Sequence, residues 1–136
     1  MVSCQTSSLR VLIADDHELT RFSLKLMFSM QENIKLVGVA ENGAELVELV
    51  KTQSPDVVVL DLQMPIMDGL TASQIIKQIQ PNIALIAYTS FGDPQLEVMS
   101  KMANIDAVCS KDTPTAELLS LIRSLTKANQ NQTSIR

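Results

Sequence analysis

The sequence has no tryptophan, one tyrosine and three phenylalanines in 136 residues. A chain this poor in rings has little with which to stack unpaired bases, which argues against single-stranded nucleic-acid binding. Positive charge is also in the minority: eleven Lys and Arg stand against fifteen Asp and Glu, for a formal net charge of −4. A broad phosphate-binding surface needs clustered basic residues. No helix-turn-helix pattern is visible either, so direct DNA binding by this chain is not expected. The two cysteines, Cys4 and Cys109, are too few for a disulfide scaffold, and their spacing fits no zinc motif. No apolar run approaches the ~20 residues that span a bilayer, and Met1 to Ser8 lacks a signal-peptide core. The expectation is a cytoplasmic protein with free thiols and no membrane contact.

What remains is 46% hydrophobic and 19% charged, a composition able to pack a core at the length of one domain. Residues 1–8 read as a disordered tail, 9–127 as the folded unit and 128–136 as a polar, frayed tail or the start of a linker. Short apolar runs alternate with helical periodicities. Leu9–Ala14, Lys35–Ala40, Asp56–Asp61, Ile83–Tyr88 and Ala107–Ser110 read as strands. A first helix over 18–30 has Leu19, Phe22, Leu26 and Met30 as its expected core stripe, with Leu24 and Phe28 a second apolar pair outside it. Asn42-Gly43 is a turn signal, followed by a helix with Leu46, Leu49 and Val50 on one face that ends before Pro55. A helix over Gly69–Gln80 directs Leu70, Ile75, Ile76 and Ile79 inward. Asp93-Pro94 opens another, with Leu96, Met99 and Ala103 on its core face and Val98 and Met102 outside it. Thr113-Pro114 opens the last, striped by Leu118, Leu121, Ile122 and Leu125. Five continuous apolar strands alternating with five helices require a parallel sheet covered on both faces, an α/β doubly wound fold.

In such folds, ligands bind beyond the carboxyl ends of the strands. Asp15 and Asp16 follow the first strand, Asp61 the third, Thr89 the fourth and Lys111 the fifth. Each alone is an ordinary turn or capping residue; at four consistent strand ends they converge on one edge. Three carboxylates in one pocket repel, and a divalent cation with oxygen ligands removes the conflict; Mg²⁺ binds through one or two carboxylates plus phosphate oxygens. Asp61, ending the most central-looking strand, is the natural nucleophile for an acyl phosphate, with Thr89 and Lys111 presented to the phosphoryl oxygens. His17 is expected outside the metal's ligand shell, because imidazole suits softer metals. Cys109 reads as a small buried residue and the seven methionines as core filler.

Val11-Leu12-Ile13-Ala14-Asp15-Asp16-His17, the block Asp61-Leu62-Gln63-Met64-Pro65-Ile66-Met67-Asp68-Gly69, Thr89-Ser90 and Lys111 together resemble the receiver domains of two-component response regulators (the CheY-like family), from about Leu9 to Lys127. Asp-Asp-His followed by Arg21, and Lys111-Asp112 in place of Lys-Pro, resemble the NarL/FixJ branch, whose members usually carry a C-terminal DNA-binding domain. The resemblance implies a flavodoxin-like five-stranded sheet of order 2-1-3-4-5 with five helices. It implies that Asp61 accepts a phosphoryl group from a sensor histidine kinase or phosphotransfer protein. Mg²⁺ would be ligated by Asp16, Asp61 and the backbone carbonyl of Gln63, with Asp15 in support, while Thr89 and Lys111 contact the phosphoryl group. A receiver helps its own phosphorylation and dephosphorylation but is a signalling phosphoacceptor rather than an enzyme. Homodimerisation on phosphorylation and transcriptional output through a missing or separate DNA-binding domain are expectations of the same kind; a stand-alone receiver acting by docking is the alternative.

Two departures stand out. Val108 occupies the position where receivers commonly carry an aromatic switch residue, and the usual cis Lys-Pro bond has no proline here. Gln63 and Phe91 lie where the family tunes the lifetime of the phosphoryl group. Of the rival readings, an aspartate-nucleophile phosphohydrolase would place a second Asp where Gln63 stands. A flavodoxin would have a Ser/Thr/Gly-rich loop where Asp15-Asp16 stand.

Overall fold

The computed structural model describes residues 8–90 and 105–134, with the side chains of the last helix described as far as Thr126. Five strands, β1 (Leu9–Ala14), β2 (Ile34–Ala40), β3 (Val57–Leu60), β4 (Ala84–Thr89) and β5 (Ala107–Ser110), form one sheet in the order β2-β1-β3-β4-β5. Every neighbouring pair is parallel. Four helices occur among the described residues: α1 (Glu18–Ser29), α2 (Gly43–Gln53), α3 (Gly69–Ile79) and α4 (Thr115–Ser134). The helix expected from Asp93-Pro94, with Leu96, Val98, Met99, Met102 and Ala103, lies outside the described residues, as do Cys4 and Phe91. No described helix is long and apolar enough to cross a membrane.

The strands are apolar throughout because each buries both faces. Their period of two sorts the residues into two cores. Val11, Ile13, Val57, Val59, Ala84, Ile86, Tyr88 and Cys109 pack with Leu24 and Phe28 of α1 and Leu118 and Ile122 of α4. Leu12, Ala14, Val58, Leu60 and Leu85 pack on the other side with Leu46, Val47 and Val50 of α2 and Ala72 and Ile76 of α3. Asn42-Gly43 is not a free turn. Asn42 caps α2, its side chain accepting from Glu45 N–H at 2.9 Å, while Glu45 Oε1 reaches back to Glu41 N–H at 2.8 Å; reciprocal bonds of this kind satisfy the orphan donors of a first turn. Asp68 caps α3 in the same way, accepting from Thr71 N–H at 2.7 Å.

Three elements differ from the expectation. The stripe Leu19, Phe22, Leu26 and Met30 faces solvent, more than half exposed at every position, while Leu24 and Phe28 are the buried residues of α1. Both stripes have helical spacing, and the wheel alone does not say which is inward. Arg21 shares the inward face, and its guanidinium donates to the Asp15 carbonyl at 2.8 Å, which fixes the rotation of the helix. In α3, Ile79 is exposed; the last inward position goes to the C-cap residue Gln80, whose amide donates to the Pro55 carbonyl at 2.7 Å. Finally, the backbone stays helical through Ser134, because Ala128 to Ser134 contains neither Gly nor Pro to stop it.

Candidate functional site

The sheet carries the acids to one edge. Asp15 N–H donates to Ala40 O at 3.1 Å and Asp61 N–H to Ala14 O at 2.9 Å, so the ladder runs one residue past the ends of β1 and β3. Lys111 N–H donates to Thr89 O at 2.7 Å, tying the residue after β5 to the end of β4. Lys111 Nζ lies 2.7 Å from Asp15 Oδ2 and 3.2 Å from Asp61 Oδ2. Asp15 and Asp61 are buried, and Asp16 is exposed beside them.

The five strand-end residues selected from the sequence therefore meet to different extents. Asp15, Asp61 and Lys111 are in direct contact, Asp16 sits at the mouth of the pocket, and Thr89 is buried at its strand end with its carbonyl bonded to Lys111. Gln63 N–H donates to Asp61 Oδ1 at 3.0 Å, holding the acid in place from its own loop. No cis peptide bond occurs among the described residues, so the Lys111–Asp112 bond is trans. Val108 is 43% exposed on β5. Cys109 is a buried free thiol that meets the Thr113 hydroxyl at 3.3 Å.

Three residues matter to the site in ways their positions in sequence did not disclose. His17, expected outside the metal's ligand shell, brings its ring Nδ1 to 2.8 Å from Asp15 Oδ1 and 3.2 Å from Asp16 Oδ1. Arg21 anchors the Asp15 carbonyl; a basic residue on the inward face of an apolar helix was the available signal. Gly69 is required by close approach: a Cβ there would stand 2.2 Å from the Asp61 carbonyl oxygen and 2.7 Å from Leu62 Cα. Gly69 N–H also donates to Leu62 O at 2.9 Å, so the start of α3 is pressed onto the backbone that carries Asp61. A Gly69→Ala variant is expected to lose about 1–3 kcal/mol, the usual cost of overpacking, because the clash is with main chain that no rotamer change relieves. Urea denaturation measures the loss, and wild-type stability in the variant would refute the close approach.

Burial by itself would lower the pKa of Lys111, but the adjacent Asp15 and Asp61 carboxylates outweigh it, and the pKa lies above its ordinary 10.5. Burial lifts the Tyr88 phenol above 10.0, with Cys109 adding to the rise and Lys111 opposing it. The signs agree. Above pH 10 the unfolded chain releases each of these protons before the folded one does, so folding stability falls as pH rises. The Lys111 contribution is fully present below about pH 10.5. Tyr88 is the only tyrosine, so the near-ultraviolet absorbance of tyrosinate reports it alone. Its midpoint is expected above 10 in the native protein and close to 10 in urea; coincident midpoints would refute the burial effect.

The donor set suits a divalent cation. One ligand atom each from Asp15, Asp16, His17 and Asp61 fall within 4.8 Å of one another. Asp15 Oδ2 is buried without an aligned hydrogen-bond donor; the Lys111 ammonium at 2.7 Å neutralises it as an ion pair. Buried carboxylates crowded in this way are stabilised by a cation that supplies more charge than one lysine can.

Comparison with known proteins agrees with this geometry. The chain is 35% identical over 111 residues to the uncharacterized transcriptional regulatory protein YhcZ of Bacillus subtilis strain 168, a match covering 82% of this chain and 52% of that one. It spans about half the length of the curated relatives it matches. Its structure superposes on the signal receiver domain of the putative response regulator NarL from Mycobacterium tuberculosis with a TM-score of 0.83 at 26% identity, over 89% of this chain and 98% of that one. The CheX-CheY-BeF3-Mg complex of Borrelia burgdorferi superposes with a TM-score of 0.79 at 28% identity, over 88% of this chain and 90% of that one. The response regulator receiver domain family matches residues 11–123, which takes in β1 from Val11 onward, the other four strands whole and every acid of the pocket, and the chain is a member of that family.

Proposed function

We propose that this chain, over residues 9–127, is a phosphoacceptor switch in which Asp61 takes a phosphoryl group from the phosphohistidine of a sensor kinase or phosphotransfer protein. The observation that carries the reading is the contact of Lys111 Nζ with both Asp61 Oδ2 and Asp15 Oδ2: a fixed cation stands where charge develops on a transferring phosphoryl group. An Asp61 oxygen forms the new bond to phosphorus as the phosphorus–nitrogen bond of the donor breaks. Asp15, Asp16, Asp61 and the backbone carbonyl of Gln63 would hold Mg²⁺. When bound, the ion screens the carboxylates from one another and from the incoming phosphoryl oxygens. Lys111 follows the added charge, and the Thr89 hydroxyl offers a donor to the same oxygens. Because Lys111 N–H is bonded to Thr89 O, a pull on either residue is transmitted to the adjoining ends of β4 and β5. Phosphorylation thereby biases a two-state surface.

YhcZ is a transcriptional regulatory protein about twice as long as the matched stretch, which supports an output in transcription regulation through a DNA-binding domain outside this sequence; a stand-alone receiver acting by docking is the alternative. The test is incubation with Mg²⁺ and acetyl phosphate followed by intact mass. One phosphoryl addition is expected, lost in Asp61→Asn and suppressed by EDTA. Equal addition to the Asp61→Asn variant would overturn the assignment.

A further inference from the structure

The ring of His17 is drawn into the acid pocket without being packed there. Its side chain is 62% exposed, yet Nδ1 lies 2.8 Å from Asp15 Oδ1, 3.2 Å from Asp16 Oδ1 and 3.8 Å from Asp61 Oδ2. The backbone orients it: His17 N–H donates to the same Asp15 Oδ1 at 2.9 Å, closing a short turn that aims the ring inward. The pocket also holds a buried carboxylate oxygen, Asp15 Oδ2, whose charge meets the Lys111 ammonium at 2.7 Å without an aligned hydrogen bond. Three oxygens and one imidazole nitrogen, all within 4.8 Å of one another, form a mixed donor set.

We propose that His17 supplies a nitrogen ligand to the divalent-cation site, so that the pocket takes first-row transition ions such as Mn²⁺, Co²⁺ and Ni²⁺ through Nδ1 in addition to the carboxylates. The inference rests on the reading of Asp15, Asp16 and Asp61 as a cation site and adds a fourth donor to it. Carboxylates alone suit Mg²⁺ and Mn²⁺, whereas imidazole adds affinity in the order Mn²⁺, Co²⁺, Ni²⁺. The neutral ring needs no net loss of a proton for this. Binding an ion through the Nδ1 lone pair requires the tautomer whose proton sits on Nε2.

His17 is the only histidine in the chain, so an untagged protein labelled with ¹⁵N in histidine alone gives an unambiguous readout. With one equivalent of Mn²⁺ in a Cys4→Ser background, pulsed electron paramagnetic resonance is expected to show the coupling of a directly bound ¹⁵N. His17→Ala is expected to abolish that coupling. In calorimetry the same variant is expected to weaken Ni²⁺ binding by tenfold or more, given that even outer partners of metal ligands are worth ~10–100-fold, while Mg²⁺ binding changes far less. Bound Mn²⁺ with no ¹⁵N coupling, or equal Ni²⁺ affinity in the two proteins, would overturn the inference and leave the Mg²⁺ reading standing. Tighter Mg²⁺ binding by His17→Ala would identify the ring as a counter-charge that metal displaces, which also overturns it. Failure of the wild-type protein to bind either ion would overturn both.

Discussion

Phe28→Ala is expected to lose about 4 kcal/mol of folding stability, while Phe22→Ala on the same helix loses less than about 0.5 kcal/mol. The two phenylalanines stand six residues apart on α1 and carry identical side chains. Phe28 is 1% exposed and packs with Val11, Ile13, Ile34 and Leu24 in the core between α1 and the sheet, whereas Phe22 is 59% exposed. Truncating the first removes apolar contact and leaves a cavity; truncating the second exposes little that was not already in water. Urea denaturation of both variants decides the matter. A larger loss for Phe22 would mean that α1 is rotated by about a third of a turn from the orientation described. The contrast also tests the Arg21 anchor, because the rotation that buries Phe28 is the one that brings the guanidinium to the Asp15 carbonyl.

Lys111→Met is expected to lose about 3 kcal/mol in EDTA, at the low end of the range for breaking a buried ion pair by removing one partner. The low end applies because the lysine side chain keeps 16% of its exposure, whereas those of Asp15 and Asp61 keep 2% and 9%. Methionine preserves most of the stem volume, so the loss reports charge more than packing. Two carboxylates are then left facing each other without their cation. Magnesium is expected to stabilise the variant more than the wild type, narrowing the gap to less than half, since a ligand stabilises the folded state by about 2.7 kcal/mol at a hundred times its Kd and binds more tightly where the carboxylates lack a counter-charge. Denaturation with and without Mg²⁺ measures both quantities. A variant as stable as wild type in EDTA would show that the lysine offsets no repulsion in the ion-free pocket.

The order of the elements was legible because period-two and period-3.6 patterns are local properties of the chain. The boundaries of β1 and β5 are those read from the sequence, and the other strands differ by one residue at each displaced end. The edge on which Asp15, Asp61 and Lys111 meet was equally legible, since parallel strands with right-handed crossovers place every carboxyl end on one side. The rotation of α1 was not. Leu19, Phe22, Leu26 and Met30 match a helical stripe as well as Leu24 and Phe28 do, and only the sheet surface and the Asp15 carbonyl distinguish them. Gly69 was read as the start of a helix and not as the position where α3 touches the Asp61 backbone, because a clash between segments has no periodicity. His17 was set outside the metal's ligand shell on the general preference of imidazole for softer metals, a chemical rule with no information about the turn that aims its ring.

The sequence by itself determined which residue types end each strand and therefore what chemistry the sheet edge can hold, because strand ends follow from local apolar patterning. Tertiary structure alone decided which face of α1 is buried, how closely α3 approaches Asp61 and where the His17 ring points. Each of those depends on a contact between segments far apart in the chain or on a turn geometry that pattern does not encode.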